Sequence, residues 1–208
     1  MSAYAPSEPS PPRLRKVKIV VSGAFGTGKT TLVSAVTEVR PLLTEAVMTQ
    51  ASEGIDGLAG VEFKTTTTVA MDFGRITLPT RDPDDGIVLM LFGTPGQDRF
   101  SNIWDDLSYR AAGAVVLVDT RRLEDAFDVV SYFEAQNLPF LIAVNLFDHA
   151  PRYLLDEVRD ALRLKAGVPV IACDVRDRQS VLDALTDLVR HSLFRLPAPP
   201  HSTLGARP

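Results

Sequence analysis

Short runs of consecutive apolar residues alternate along this chain with longer stretches in which apolar positions recur at helical spacing. Residues 16–22 (KVKIVVS) are rich in β-branched side chains and close on Gly23, which predicts a buried strand. Residues 29–39 continue at helical spacing. Residues 69–78 and 86–92 predict a strand pair joined through Arg81-Asp82-Pro83-Asp84-Asp85-Gly86. The acidic run there is turn chemistry, because Asp-Pro and Asp-Gly steps favour chain reversal, rather than a metal site. Three more apolar runs follow at 114–119 (AVVLVD), 140–145 (FLIAVN) and 169–173 (PVIAC), with helices expected near 123–135, 152–164 and 180–193. Continuous apolar strands spaced by helices imply an α/β fold: a mostly parallel six-stranded sheet, covered by helices on both faces as a three-layer sandwich. In such sheets ligands sit beyond the carboxyl ends of the strands.

Composition changes this picture at the ends. Residues 2–12 and 197–208 are Ser/Pro-rich, so the chain divides into a disordered tail at 1–15, one domain at 16–194 and a second disordered tail at 195–208. A chain of 208 residues with 45% hydrophobic and 23% charged positions is sufficient for one full core. The net charge of -4 argues against nucleic acid or an anionic membrane as the main partner. Cys173 is the single cysteine, which excludes an internal disulfide and a cysteine-based zinc site, and its apolar neighbours predict a packing role. His149, His191 and His201 lack metal-ligand spacing. The start of the chain lacks a signal-peptide pattern and no apolar run approaches a membrane span, so a cytoplasmic protein is expected, with any membrane recruitment coming through a partner.

Candidate chemistry begins where the first strand ends. Gly23-Ala24-Phe25-Gly26-Thr27-Gly28-Lys29-Thr30 matches GxxxxGK[ST] between a strand and a helix, the context of a P-loop NTPase. The glycines let backbone N–H groups, including that of Thr27, curl round a phosphate chain at the positive end of a helix. In that arrangement Lys29 reaches the β- and γ-phosphates, Thr30 places its hydroxyl on Mg²⁺, and Thr31 assists at the α-phosphate.

Further along, Leu91-Phe92-Gly93-Thr94-Pro95-Gly96-Gln97, Tyr109 to Ala114 followed by VVLVD, and Asn145-Leu146-Phe147-Asp148 occur in an order that resembles the Ras-like small GTPases. The resemblance spans residues 16–194 and implies a role for each matching position. Gly96 would meet the γ-phosphate through its N–H, and Gln97 would orient the attacking water. Thr68, the last of four threonines, would hold the γ-phosphate and Mg²⁺ as a switch I threonine. Asn145 would tie the base loop to the phosphate loop. Asp148 would accept the N1–H and amino group of guanine, a pairing that adenine cannot satisfy. Asp174 and Val175 stand where a backbone N–H meets the guanine carbonyl, although an ordinary strand-to-helix turn looks much the same.

Three departures from the pattern bear on function. Gly93 stands where an aspartate is expected, which removes one outer-sphere Mg²⁺ anchor and predicts weak Mg²⁺ affinity. Leu146 replaces a lysine beneath the base. Phe25 crowds the place where an arginine finger would enter. GAFGTGKT, GTPGQ and NLFD together resemble the bacterial MglA-type small GTPases, and within them the conservon GTPases of actinomycetes. That resemblance implies a GTP/GDP switch in bacterial signalling, with a roadblock/LC7-fold protein and a sensor histidine kinase as partners. It also implies a GTPase with slow hydrolysis, since residues 41–68 hold no arginine and the nearest candidates in sequence are Arg99 and Arg110. Two other classes remain open: a nucleotide-binding scaffold without turnover, and a P-loop kinase or ATPase, which predicts adenine preference and a lid of arginines.

Overall fold

The computed structural model describes residues 13–39, 42–49, 66–79, 85–95 and 102–195. The apolar runs form strands β1 (Arg13–Gly23), β3 (Thr66–Pro79), β4 (Asp85–Gly93), β5 (Gly113–Val118), β6 (Phe140–Asn145) and β7 (Val170–Cys173). A further strand, β2 (Leu42–Thr49), joins these six at the edge. The helices are α1 (Lys29–Val36), α2 (Asn102–Ser108), α3 (Phe127–Ala135, entered through a 3-10 turn at Leu123–Ala126), α4 (Leu155–Ala161) and α5 (Arg178–Arg195). The sheet runs β2-β3-β4-β1-β5-β6-β7. It is parallel from β4 to β7, while β3 is antiparallel to both β4 and β2.

The continuous apolar runs are explained by burial on both faces. On β1, β5 and β6 alternate residues feed opposite layers, as the two-residue period of a strand requires. Ile19, Val21, Leu117 and Leu141 pack with Leu32, Val33 and Val36 of α1 and with Leu185 and Leu188 of α5. Val20, Val116, Val118 and Ile142 pack on the other face with Val129 and Phe133 of α3 and Val158 of α4. Cys173 sits in the first of these layers, fully buried. Phe133 has no exposed surface and contacts both Tyr132 and Phe140 edge-on or tilted. Phe133→Ala is expected to cost about 3–5 kcal/mol, read as a lowered urea midpoint with an unchanged slope.

This architecture gathers the loops after β1, β4, β5, β6 and β7 at one end of the sheet, the carboxyl end of the parallel strands. A cavity of about 840 Å³ lies at the other end, lined by Val17, Ile87, Pro139, Val189 and Leu193, so it is not the place where the sequence motifs meet. The expected tails, apart from residues 13–15 and Arg195, lie outside the described residues, as do Thr65 and most of the 81–86 turn. Among the described residues no helix is long and apolar enough to cross a membrane.

Candidate functional site

β1 ends and α1 begins through a loop whose shape depends on glycine. Gly23, Gly26 and Gly28 have φ values of 141°, 77° and 103°, a region that side-chain-bearing residues rarely adopt. At Gly23 a Cβ would lie 2.4 Å from the Leu117 carbonyl oxygen, so the loop also needs glycine to pass β5. Gly28 is the N-cap of α1 and no side chain caps the helix, which leaves first-turn N–H groups for an anion. Thr27 closes the loop with its hydroxyl on the Ala24 carbonyl at 2.9 Å.

Lys29 reaches back under this loop. Its Nζ donates to the carbonyls of Gly23 at 2.7 Å and Ala24 at 2.8 Å. Burial pushes its pKa down to about 8, opposed by the nearby negative charge of Asp72. An ammonium held in such surroundings gains strongly from a phosphate placed beside it. Thr31 lies exposed on the first turn of α1.

Thr30 has a partner that sequence reading missed. Its hydroxyl donates to Asp72 Oδ2 at 2.6 Å. Asp72 lies on β3, and a Cβ added to Gly93 would sit 2.9 Å from the Asp72 Cβ and 3.1 Å from its Oδ2. A carboxylate therefore stands beside Thr30 on the adjacent antiparallel strand, in the space that a side chain at position 93 would enter. Gly93, which lacks the carboxylate expected there, thus lies against the carboxylate of a neighbouring strand. Thr68 belongs to the same strand as Asp72. It sits in β3 opposite Val47, four residues before Asp72, about 13 Å along the strand.

The base loop is built from β6 and β7. Asn145 is 3% exposed and spans two loops, donating to the Thr27 carbonyl at 3.0 Å and accepting from Val175 N–H at 3.4 Å. Gly28 needs to be glycine here too, since a Cβ would come within 2.8 Å of Asn145 Nδ2 and 3.0 Å of Val175. Asp148 is exposed and meets the guanidinium of Arg176, with NH1 to Oδ2 at 2.7 Å and NH2 to Oδ1 at 3.3 Å. The same guanidinium bonds both oxygens of Asp174 at 2.9 Å. Hydrogen bonds from Arg176 hold both carboxylates below the usual range. The Asp174 N–H is fixed by the Ser180 hydroxyl at 3.0 Å.

The loop after β5 props up both halves of the site. Asp119, almost fully buried, binds Arg121 through its N–H, Nε and NH2. Arg121 in turn lies 4.2 Å from the centre of the Phe147 ring in the base loop. Arg122 donates to the Phe25 carbonyl of the phosphate loop at 3.0 Å. Arg122, rather than Arg110, is thus the arginine set against the phosphate loop: Arg110 precedes β5, at the opposite end of the sheet, and Arg99 lies outside the described residues. Phe25 is 67% exposed beside it. Gly96 and Gln97 also lie outside the described residues, which stop at Pro95. Thr94 is locked next to the phosphate-loop strand by its bonds to Ser22 and Val21.

A search of curated proteins returned no match. Residues 21–194 match a family model described as "conserved hypothetical ATP binding protein". This match overturns the assignment to the Ras-like small GTPases and, within them, to the MglA-type and conservon GTPases. The motif order behind that assignment did not discriminate, because a phosphate loop after the first strand and a base loop after a later one follow from the sheet itself. With the phosphate loop, its lysine and the α/β sheet in place, the chain belongs to this family of P-loop, ATP-binding proteins.

Proposed function

We propose that this protein binds a guanine nucleotide with Mg²⁺ and hydrolyses the triphosphate slowly. The observation that carries the reading is Asn145, which ties the phosphate loop to Val175 just beyond β7, with Asp148 three residues further along the same base loop. A carboxylate there accepts the N1–H and amino group of guanine together, whereas adenine presents a lone pair. The roadblock/LC7 and histidine kinase partners, and the signalling switch itself, were implied by the small GTPase resemblance and lose their basis with it.

Mg²⁺ suits the oxygens of Thr30 and Asp72, hard ligands that this ion prefers, and when bound it neutralises charge on the β- and γ-phosphates. Lys29, held under the phosphate loop by the Gly23 and Ala24 carbonyls, would spread charge from the same oxygens. In hydrolysis a water oxygen attacks the γ-phosphorus and the bond to the β–γ bridging oxygen breaks. The electron pair stays on the diphosphate, and the water proton leaves with the products. Gln97 is the residue proposed to orient that water. Arg122, tied to the Phe25 carbonyl and to Asp125, is not free to neutralise charge without moving, which favours slow turnover. The Asp72 carboxylate beside Thr30 also weakens the part of the scaffold case that leaned on Gly93, and leaves the part that leaned on Phe25.

The description of the matched family favours a second reading, an ATP-binding P-loop ATPase or kinase. Competition decides between them. Guanine recognition predicts that GDP displaces a bound fluorescent nucleotide at concentrations at least about tenfold below ADP, the lower end of what a polar base contact supplies. Asp148→Asn, which exchanges an acceptor for a donor, should shift preference towards xanthine nucleotides. ADP competing as well as GDP, in wild type and variant alike, would overturn the guanine reading, and ADP competing better would establish the adenine one. Single-turnover assays with GTP and ATP then measure which triphosphate is cleaved.

A further inference from the structure

We propose that Arg176 sets the purine selectivity of this site by competing with guanine for Asp148. The inference rests on the guanine reading above. Arg176 presents two parallel N–H donors to the two oxygens of Asp148, at 2.7 and 3.3 Å. Guanine offers the same pattern, because its N1–H and exocyclic amino group belong to a guanidine unit fused into the ring. Arginine and base therefore ask for the same face of the same carboxylate. The fork of Arg176 is pre-organised for this role: two bonds to Asp174 and one to the Leu146 carbonyl at 3.4 Å hold it across the base loop.

Two consequences follow. Guanine must displace Arg176 from Asp148 before it can pair, so its affinity is reduced by the strength of that contact. Adenine, by contrast, gains from Arg176, because a carboxylate paired with a guanidinium, even one shared with Asp174, opposes the lone pair of adenine N1 less. Arg176 thus lowers guanine affinity and raises adenine tolerance together. A base loop with a guanine-accepting aspartate then becomes compatible with a family described by ATP binding.

The test uses the full chain with Mg²⁺ and displacement of a fluorescent GDP analogue by GDP and by ADP. The Arg176 and Asp148 side chains are 52% and 71% exposed, so neither substitution disturbs the core. Arg176→Ala should tighten GDP about three- to fivefold, the upper end for an exposed ion pair, and weaken ADP, so that the GDP:ADP selectivity rises. Arg176→Lys keeps the charge without the fork and should fall between Ala and wild type. In an Asp148→Ala background, Arg176→Ala should change neither affinity by more than about twofold, because the shared partner is gone. An unchanged or lowered GDP:ADP ratio in Arg176→Ala overturns the proposal, as does an undiminished effect in the Asp148→Ala background. Failure of the guanine reading is a separate outcome: Asp148→Ala alone would then leave the GDP:ADP ratio at its wild-type value.

Discussion

Lys29→Ala is expected to weaken nucleoside triphosphate binding about 30- to 4,000-fold, the cost of truncating one partner of a buried charge-assisted contact, and to abolish measurable single-turnover hydrolysis. The lysine is buried and bonded to two loop carbonyls, so its charge is already desolvated and pointed along the inner wall of the phosphate loop. A phosphate oxygen that meets it requires little further reorganisation, which is why the effect should be large. The variant also leaves the carbonyls of Gly23 and Ala24 without that donor, so a thermal melt must accompany the binding assay. Free guanosine, which lacks phosphates, should bind wild type and variant equally weakly. A variant that keeps triphosphate affinity within about twofold, the scatter expected for a site that makes no such contact, would show that the loop does not hold the phosphate chain.

Much of the fold and part of the site were legible in the sequence, for reasons that can be named. The phosphate loop was readable because positive φ values at Gly23, Gly26 and Gly28 admit few other residues, so the backbone geometry is written into the residue types. The strands β1, β5 and β6 were readable because both of their faces are buried, and a strand covered on both sides needs an unbroken apolar run. β2 was not readable. Leu42–Thr49 pairs on one side only, with β3, at the edge of the sheet, where side-chain pattern is weakly constrained. α2, seven residues long, is too short to announce a helical period.

The role of Asp72 escaped for a different reason. A motif scan asks for a carboxylate at a fixed offset along one strand, whereas the antiparallel pairing of β3 and β4 brings one from the neighbouring strand beside that position. Phe73 opposite Phe92 is the last register pair, and Asp72 and Gly93 stand just beyond it. A signal was available: an acidic residue within the apolar stretch VAMDF, level with the unexpected glycine once the two predicted strands are paired. Arg122 carried no such signal, because its contact with Phe25 joins residues 97 apart.

Exchanging the two residues tests that relocation directly. Asp72→Ala removes the acceptor of the Thr30 hydroxyl and should weaken Mg²⁺-dependent nucleotide retention about 10- to 100-fold, as loss of an outer-sphere carboxylate commonly does. Gly93→Asp alone should not strengthen the metal site. Its Cβ would lie 2.9 Å from the Asp72 Cβ, and the two like charges would share one small space. Overpacking of that kind costs about 1–3 kcal/mol, so the single variant should melt earlier and bind Mg²⁺ no better than wild type. Asp72→Gly combined with Gly93→Asp moves the carboxylate to β4 and clears the space on β3. The double variant should recover Mg²⁺ affinity to within about threefold of wild type, a strong non-additivity of the sort that only contacting residues show. The measurement is a magnesium titration of nucleotide release for wild type, both single variants and the double. Additive losses in the double variant would mean that Asp72 and Gly93 do not share a site, and that Thr30 relies on Asp72 for a purpose other than the metal.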